Sequence, residues 1–269
     1  MHTHHNFCAN YLDGFIVSEP LKDGPLVSVI IATFNCVQTV RRAIESVSRQ
    51  TYKNTELIIV DGNSTDGTLK ELEDSSADID KFVSEKDNGI YDAWNKGIRL
   101  ASGEWLCFIG ADDVLLDSAI SDYIQFIDAN PSFHYVSSKA LLVDKRGRRR
   151  EIGQAWKWRT FKRYMNVAHV GSLHHRDLFS RYGFFDEQFK ICGDYELLLR
   201  PRERLAAGYF EKITAIMAAG GISQANSRIF NETYLAKVSA GGRDRLIAGW
   251  EKCWAQAKWC IKTSLFKFF

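Results

Sequence analysis

Trp105-Leu106-Cys107-Phe108-Ile109-Gly110-Ala111-Asp112-Asp113 is an apolar run of strand length that stops on two adjacent carboxylates. Like charges side by side repel, and each resists burial. Two readings account for the pair: a bound divalent cation, or a helix cap followed by a solvated first-turn acid. Upstream, Ile90 to Ala101 places Ile90, Ala93, Trp94, Gly97 and Ile98 at helical spacing. Phe82-Val83-Ser84 reads as a strand before it. Glu56-Leu57-Ile58-Ile59-Val60 is another, closed by the turn formers Asp61-Gly62-Asn63-Ser64-Thr65-Asp66-Gly67, with Asp66 as N-cap of a helix from Thr68. Val37 to Gln50 is helical, and Val27 to Thr33 is a β-branched run suited to a buried parallel strand. Strand and helix thus alternate with short links, which predicts an α/β fold around a mainly parallel, doubly wound sheet. Ligands bind such sheets beyond the carboxyl ends of the strands. Here those ends carry Thr33-Phe34-Asn35, Asp61-Gly62, Glu85-Lys86-Asp87-Asn88-Gly89 and Asp112-Asp113.

Composition sets bounds on function. Of the 269 residues 45% are hydrophobic and 25% charged, the balance of a folded globular chain. A net charge of +2 gives no reason to expect nucleic acid as partner. The basic run Lys145-Arg146-Gly147-Arg148-Arg149-Arg150 has no nucleic-acid-module spacing and fits a hairpin turn instead. Cys8, Cys36, Cys107, Cys192, Cys253 and Cys260 form no CxxC pair, so free thiols are expected. The start, Met1-His2-Thr3-His4-His5, lacks the apolar core of a secretory signal, and no run reaches the length of a membrane span. The expected compartment is therefore the cytoplasm. The terminal histidines suggest no more than weak metal binding.

The expected organisation is an arm over 1–24, a catalytic domain over 25–228 and a C-terminal helical extension over 229–269. Within the second half, Phe133 to Val143 and Thr214 to Ala219 read as strands, and Arg176 to Tyr182 and Tyr195 to Leu205 as helices. In the extension, Leu246, Trp250, Trp254, Ala257, Ile261 and Leu265 form a stripe, joined by Trp259, Phe266, Phe268, Phe269 and by Lys252, Lys258, Lys262 and Lys267. A basic helix with an aromatic face suits peripheral contact with a membrane. The same stripe also suits packing on the catalytic domain or a homodimer seam.

Taken in order, Val27 to Asn35, Val60-Asp61-Gly62-Asn63-Ser64-Thr65-Asp66-Gly67-Thr68, Asn88 to Gly97, Ala101-Ser102-Gly103-Glu104-Trp105 leading to Asp112-Asp113, Gly183-Phe184-Phe185-Asp186-Glu187 and Asp194 to Arg200 resemble the family 2 inverting glycosyltransferases. The resemblance covers about 25 to 223. It implies a GT-A fold, a Rossmann-like α/β sandwich. It also implies transfer of a sugar from a nucleotide-sugar donor to an acceptor hydroxyl, with Mn²⁺ or Mg²⁺, and a saccharide or lipid-linked saccharide as acceptor. Thr33 and Asn35 then line the nucleoside pocket. Asp61 is placed to accept the imide N–H of uracil, which favours a UDP-sugar; the alternative is a carboxylate bonded within its own turn. Lys86 and Asn88 fall near ribose and phosphate, and Asn95 on the following helix is placed toward the nucleoside. Asp112 and Asp113 stand for the family's DxD element. Gly110 stands where many members carry an acid, which makes Asp113 the better metal ligand and shares Asp112 between ribose and metal.

Asp194 is the expected catalytic base, its alternative being an N-cap for the helix from Tyr195. Gly193 replaces an acid common in relatives. Arg200 is too far round the helix to pair with Asp194 and reads as a structural ion-pair partner. His169, His174 and His175 read as structural residues near the acceptor side, and Gly220-Gly221-Ile222-Ser223 as a closing loop beside Arg228. Two other functions fit a nucleotide-binding sheet. A nucleotidyltransferase would carry a Gly-rich, basic loop after the first strand, and Thr33-Phe34-Asn35-Cys36 has none. A non-catalytic nucleotide-binding protein would explain the two missing acids.

Overall fold

The computed structural model describes residues 24–220 and 227–265, with side chains to 261. Four parallel strands form its centre: β1 (Val27–Thr33), β2 (Thr55–Asp61), β3 (Lys81–Ser84) and β4 (Trp105–Gly110). They lie in the order β3-β2-β1-β4. Thr33 pairs with Asp61, Asp61 with Ser84, and Ala32 with Gly110, so all four carboxyl ends finish on one edge.

The helices α1 (Val40–Ser48), α2 (Thr68–Asp74), α3 (Ile90–Leu100) and α4 (Ala119–Asp128) link or follow these strands. The twofold alternation along a strand sorts its side chains between two cores. Val29, Ile31, Leu57, Ile59, Cys107 and Ile109 pack on the side of α1 and α4. Ile30, Ile58, Leu106 and Phe108 pack on the side of α3. Because both faces are covered, these strands read as continuous apolar runs.

The sheet continues through antiparallel β8 (Leu173–His175), then β6 (Tyr135–Val143) and β9 (Ala207–Ala218), to the two-residue β5 (Val114–Leu115). The basic run does turn a hairpin, between β6 and β7 (Arg149–Ile152), with Asp144 accepting from the Arg146 and Arg148 amides. A short α5 (Trp158–Phe161) and α6 (Arg176–Tyr182) precede α7 (Gly193–Leu199). The helix expected to reach Leu205 ends six residues sooner, because Pro201 has no amide to continue it and Arg202 turns to φ 54°.

Beyond β9 the extension is two helices rather than one: α8 (Arg228–Ser239) and α9 (Arg245–Leu265), parted at Gly241-Gly242 with Gly242 at φ 60°. The first is tied firmly to the catalytic fold. Its buried Glu232 accepts the successive main-chain amides of Lys190, Ile191 and Cys192, immediately ahead of α7. Cys36, Cys107, Cys192, Cys253 and Cys260 are free thiols. Cys8, the arm up to residue 23, most of the proposed Gly220–Ser223 loop, and Phe266 to Phe269 lie outside the described residues.

Candidate active site

Between β1 and β4 the chain order of the sheet reverses, the place where a doubly wound sheet opens a crevice. A cavity of 1530 Å³ lies there, bounded by the ends of β1 and β4, by α3 and α7, and by α8 and α9. Asn35, Asp112, Asp113 and Asp194 all line it. The fold therefore gathers onto one cavity acids that lie some eighty residues apart in the chain.

Asp113 is 7% exposed, and its Oδ2 accepts the Gly110 amide at 3.0 Å. Burial first, and the charge of Asp112 second, push its pKa up to about 7, against the opposing pull of the main chain at Gly110 and Ala218 and of Arg42. Asp112 is exposed beside it. A Cβ on Gly110 would stand 2.9 Å from Asp113 Oδ2 and 3.0 Å from Asp112 Oδ1, so both carboxylates converge on the space that glycine leaves. Two crowded oxygens, one of them buried and resisting ionisation, suit a hard divalent cation such as Mg²⁺ or Mn²⁺. An acid at 110 would force this pair apart, which explains the glycine.

Asp194 is the second residue of α7, not its cap; Cys192 holds the cap position. Its Oδ1 accepts the Tyr195 amide at 2.8 Å and the Tyr91 hydroxyl at 3.2 Å. Among the described residues its Oδ2 makes no hydrogen bond. A Cβ on Gly193 would meet the Tyr91 ring at 2.8 Å, so the missing acid at 193 is what lets Tyr91 reach Asp194. Tyr91 itself is buried, which keeps its phenol protonated and a donor. Arg200 pairs with Glu196 and donates to the Tyr182 and Phe184 carbonyls, the structural role expected of it.

Five expected nucleoside or phosphate contacts do not line the cavity: Thr33, Asp61, Lys86, Asn88 and Asn95. Asp61 is fully buried and bonded to the neighbouring strands β1 and β3 as well as to its own loop. Oδ1 accepts from Thr33 Oγ1 and Ser64 Oγ; Oδ2 accepts from the Ser64 amide and Ser84 Oγ. Burial would raise its pKa, but these hydrogen bonds outweigh burial and lower it. Asn95 is buried too, clamping both main-chain groups of Phe185 and reaching Glu187. It joins α3 to the Gly183–Glu187 loop. Lys86 is exposed and gives only its carbonyl, to Lys96; the Asn88 carbonyl accepts from Lys190 Nζ at the cavity edge.

The cavity also presents residues whose roles the sequence hid. Phe34, 62% exposed, stands alone at the end of β1, a flat face suited to a nucleobase. Its position between Thr33 and Asn35 was the available signal, since alternation sends it opposite to Thr33. Trp94 and His169 stack at 5.4 Å on one wall, and burial lowers the His169 pKa, keeping the ring neutral. His174 is wholly buried among Phe108, Tyr135 and Phe179. Trp250 and Trp254, stacked and exposed, line the far side with Lys252 and Lys258.

A doubly wound α/β sheet with a cavity at its switch point and paired acids at a strand end places the chain among α/β proteins that bind a ligand at the carboxyl edge of the sheet. The model of glycosyl transferase family 2 matches residues 28–186, and the chain belongs to that family. Its activity is glycosyl transfer, which sets aside the nucleotidyltransferase and non-catalytic alternatives. The PGL/p-HBAD biosynthesis glycosyltransferase of Mycobacterium tuberculosis (strain ATCC 25177 / H37Ra) is 29% identical over 180 residues, 65% of this chain and 69% of its own. The UDP-Glc:alpha-D-GlcNAc-diphosphoundecaprenol beta-1,3-glucosyltransferase WfaP of Escherichia coli is 35% identical over 119 residues, 42% of this chain and 45% of its own. Among solved structures, the mannosyltransferase PcManGT of Pyrobaculum calidifontis, in complex with GDP-Man and Mn²⁺, superposes with a TM-score of 0.60 at 16% identity, covering 96% of this chain and 84% of its own. That likeness shows the fold.

Proposed function

We propose that this protein transfers a sugar, with inversion, from a UDP-sugar to a hydroxyl of a lipid-linked saccharide, assisted by Mn²⁺ or Mg²⁺. The observation that carries the proposal is that Asp194 and the Asp112–Asp113 pair share one cavity. Asp113 and Asp112 would hold the cation, which offsets charge on the departing diphosphate. Asp194 keeps one oxygen fixed by Tyr91 and Tyr195 and turns the other to the acceptor. An acceptor hydroxyl loses its proton to that oxygen as it attacks the anomeric carbon. One displacement by one base inverts that carbon.

The donor and acceptor follow from the surroundings. Phe34 offers a face for the base and Asn35 a rim beside it, while the loop that Asp61 braces sets their positions. WfaP, by its name, uses UDP-Glc and a diphosphoundecaprenol-linked acceptor. An amphiphilic anion of that kind suits the far wall here, where Arg163, Lys190, Lys252 and Lys258 border an aromatic lining.

The test uses Asp194→Asn with UDP-sugars and glycoside acceptors in Mn²⁺. Transfer should fall at least ~100-fold, the scale of a lost general base. The thermal shift given by UDP with Mn²⁺ should stay within a degree or two of wild type. Transfer within a few-fold of wild type would remove Asp194 from the base role. An α-linked product from an α-linked donor, read by NMR, would overturn inversion.

A further inference from the structure

At the sheet edge opposite the cavity, three side chains converge. His134 precedes β6, His175 ends β8, and Asp177 lies in the first turn of α6. One ligand atom from each lies within 4.8 Å of the other two, and all three residues are half-buried. His175 pairs with Trp105, the first residue of β4, while the acids of the active site follow the last residue of that strand. The two places are therefore separated by the length of β4.

The main chain holds these residues together. The His175 amide donates to the His134 carbonyl at 2.9 Å, and the Arg176 amide donates to the Glu104 carbonyl at 2.8 Å. The imidazoles stand edge to face, at 89° with centroids 5.6 Å apart. A fourth donor atom, Glu104 Oε1, lies 3.5 Å from His175 Nε2. Two imidazoles and a carboxylate, with a second carboxylate beside them, form a nitrogen–oxygen donor set that Zn²⁺ favours over Mg²⁺.

We propose that His134, His175 and Asp177 form a transition-metal site, Zn²⁺ being the best match, that fastens α6 to the edge of the sheet. Tetrahedral ligands at about 2.0–2.1 Å from zinc stand about 3.4 Å apart, so the side chains close by roughly an ångström on binding. Two contacts give way. Arg181, which is exposed, leaves its 3.3 Å pair with Asp177, a surface contact of small worth. If Nδ1 of His175 is the ligating atom, its 3.2 Å bond from the Asp177 amide is exchanged for the metal. The backbone ties between the segments are untouched, which is the preorganisation a metal site needs.

The experiment titrates ZnCl₂ and CoCl₂ into the full chain carrying His2→Ala, His4→Ala and His5→Ala, so that the terminal histidines contribute nothing. One equivalent should bind at micromolar affinity or tighter, raise the melting temperature, and give Co²⁺ the visible bands of a four-coordinate site. His134→Ala and Asp177→Asn should each weaken Zn²⁺ at least tenfold. Asp113→Ala should leave Zn²⁺ uptake unchanged, which separates this site from the one at the active site. Affinity no tighter than millimolar, or equal affinity in the His134 and Asp177 variants, overturns the proposal. So does loss of uptake in Asp113→Ala alone.

Discussion

At the scale of single residues, the chemistry turns on what surrounds each carboxylate. Asp61, Asp113 and Asp194 all follow strand or loop boundaries, yet the fold gives them different properties. Asp61 accepts from four donors, whereas the main chain at Gly110 and Ala218 is too little to offset the burial of Asp113. Asp113, at about 7, sits above the ordinary unfolded carboxylate value of about 3.9. Below about pH 4 the group is protonated in both states and has no effect. As pH rises toward 7 the unfolded chain releases a proton that the folded protein keeps, so stability falls across that window and levels off above it. The full effect is on the order of a few kcal/mol. Asp113→Asn should flatten the loss of melting temperature between pH 5 and pH 8 in metal-free protein, and should abolish the stabilisation by Mn²⁺ with UDP. An unchanged slope in the variant would assign the pH dependence elsewhere.

At the scale of elements, α8 of the C-terminal extension is tied to the segment just ahead of α7. Glu232 of α8 collects three consecutive amides just ahead of α7 and pairs with Arg228. Such an arrangement sets where α7 begins, and hence where Asp194 stands. Glu232→Ala leaves buried donors unpaired, at a cost of about 3 kcal/mol or more. Thermal melting should show that loss. Transfer should fall through kcat, while the donor KM stays near wild type, because the proposed nucleotide end of the cavity is the one bounded by β1 and β4. A change in donor KM alone would mean that Glu232 acts on the wrong half of the site. The sequence offered no sign of this contact. Helical spacing marks a helix, but a glutamate that meets amides forty residues away looks like any solvated one. By contrast, the central strands and the β6–β7 hairpin were legible, because apolar runs and a glycine in a basic turn are local signals. β9 was longer than its apolar segment, since Glu211 and Lys212 lie on its exposed stretch and its pairing with β6 is irregular between Ser137 and Ala140.

At the scale of the whole molecule, the aromatic stripe of α9 divides. Ala248 is buried, Glu251 meets Lys237 of α8 and Arg243 of the link between the two helices, and Trp259 packs on Phe230. Leu246, Trp250, Trp254 and Ile261 remain exposed, Trp250 at 65% and Trp254 at 55%. Among the described residues no helix is long and apolar enough to cross a membrane. An exposed aromatic face with Lys252 and Lys258 at the cavity mouth is the chemistry an anionic lipid surface would meet, and peripheral attachment there is a proposal to be tested. Full-length protein should then sediment with anionic vesicles at low salt and release at high salt. Truncation after Gly242 would remove Arg243 and Glu251 together and leave the buried Lys237 without its ion-pair partner, so the sharper variant is Trp250→Ser with Trp254→Ser, which leaves those ion pairs in place. Vesicle binding should fall at least tenfold. A variant that binds vesicles as before, with a full-length protein that is dimeric by sedimentation, would make this face a seam between copies.

The sequence by itself determined the central sheet, the order of its helices and the family. Those rest on local signals: buried strands read as apolar runs, and glycines and acids punctuate their ends. It also singled out Asp112, Asp113 and Asp194, which the fold brings to one cavity. Only the tertiary structure decided which polar residues face the cavity. Thr33, Asp61 and Asn95 looked like ligand contacts, but their partners lie on other strands and loops, and those partners consume their hydrogen-bonding capacity. Likewise Gly110 and Gly193 looked like losses of function in the chain. In space each makes room for a side chain, the Asp112–Asp113 pair in one case and the Tyr91 ring in the other. Proximity across dozens of residues is what converts such positions into chemistry, and it is set by packing rather than by any local pattern.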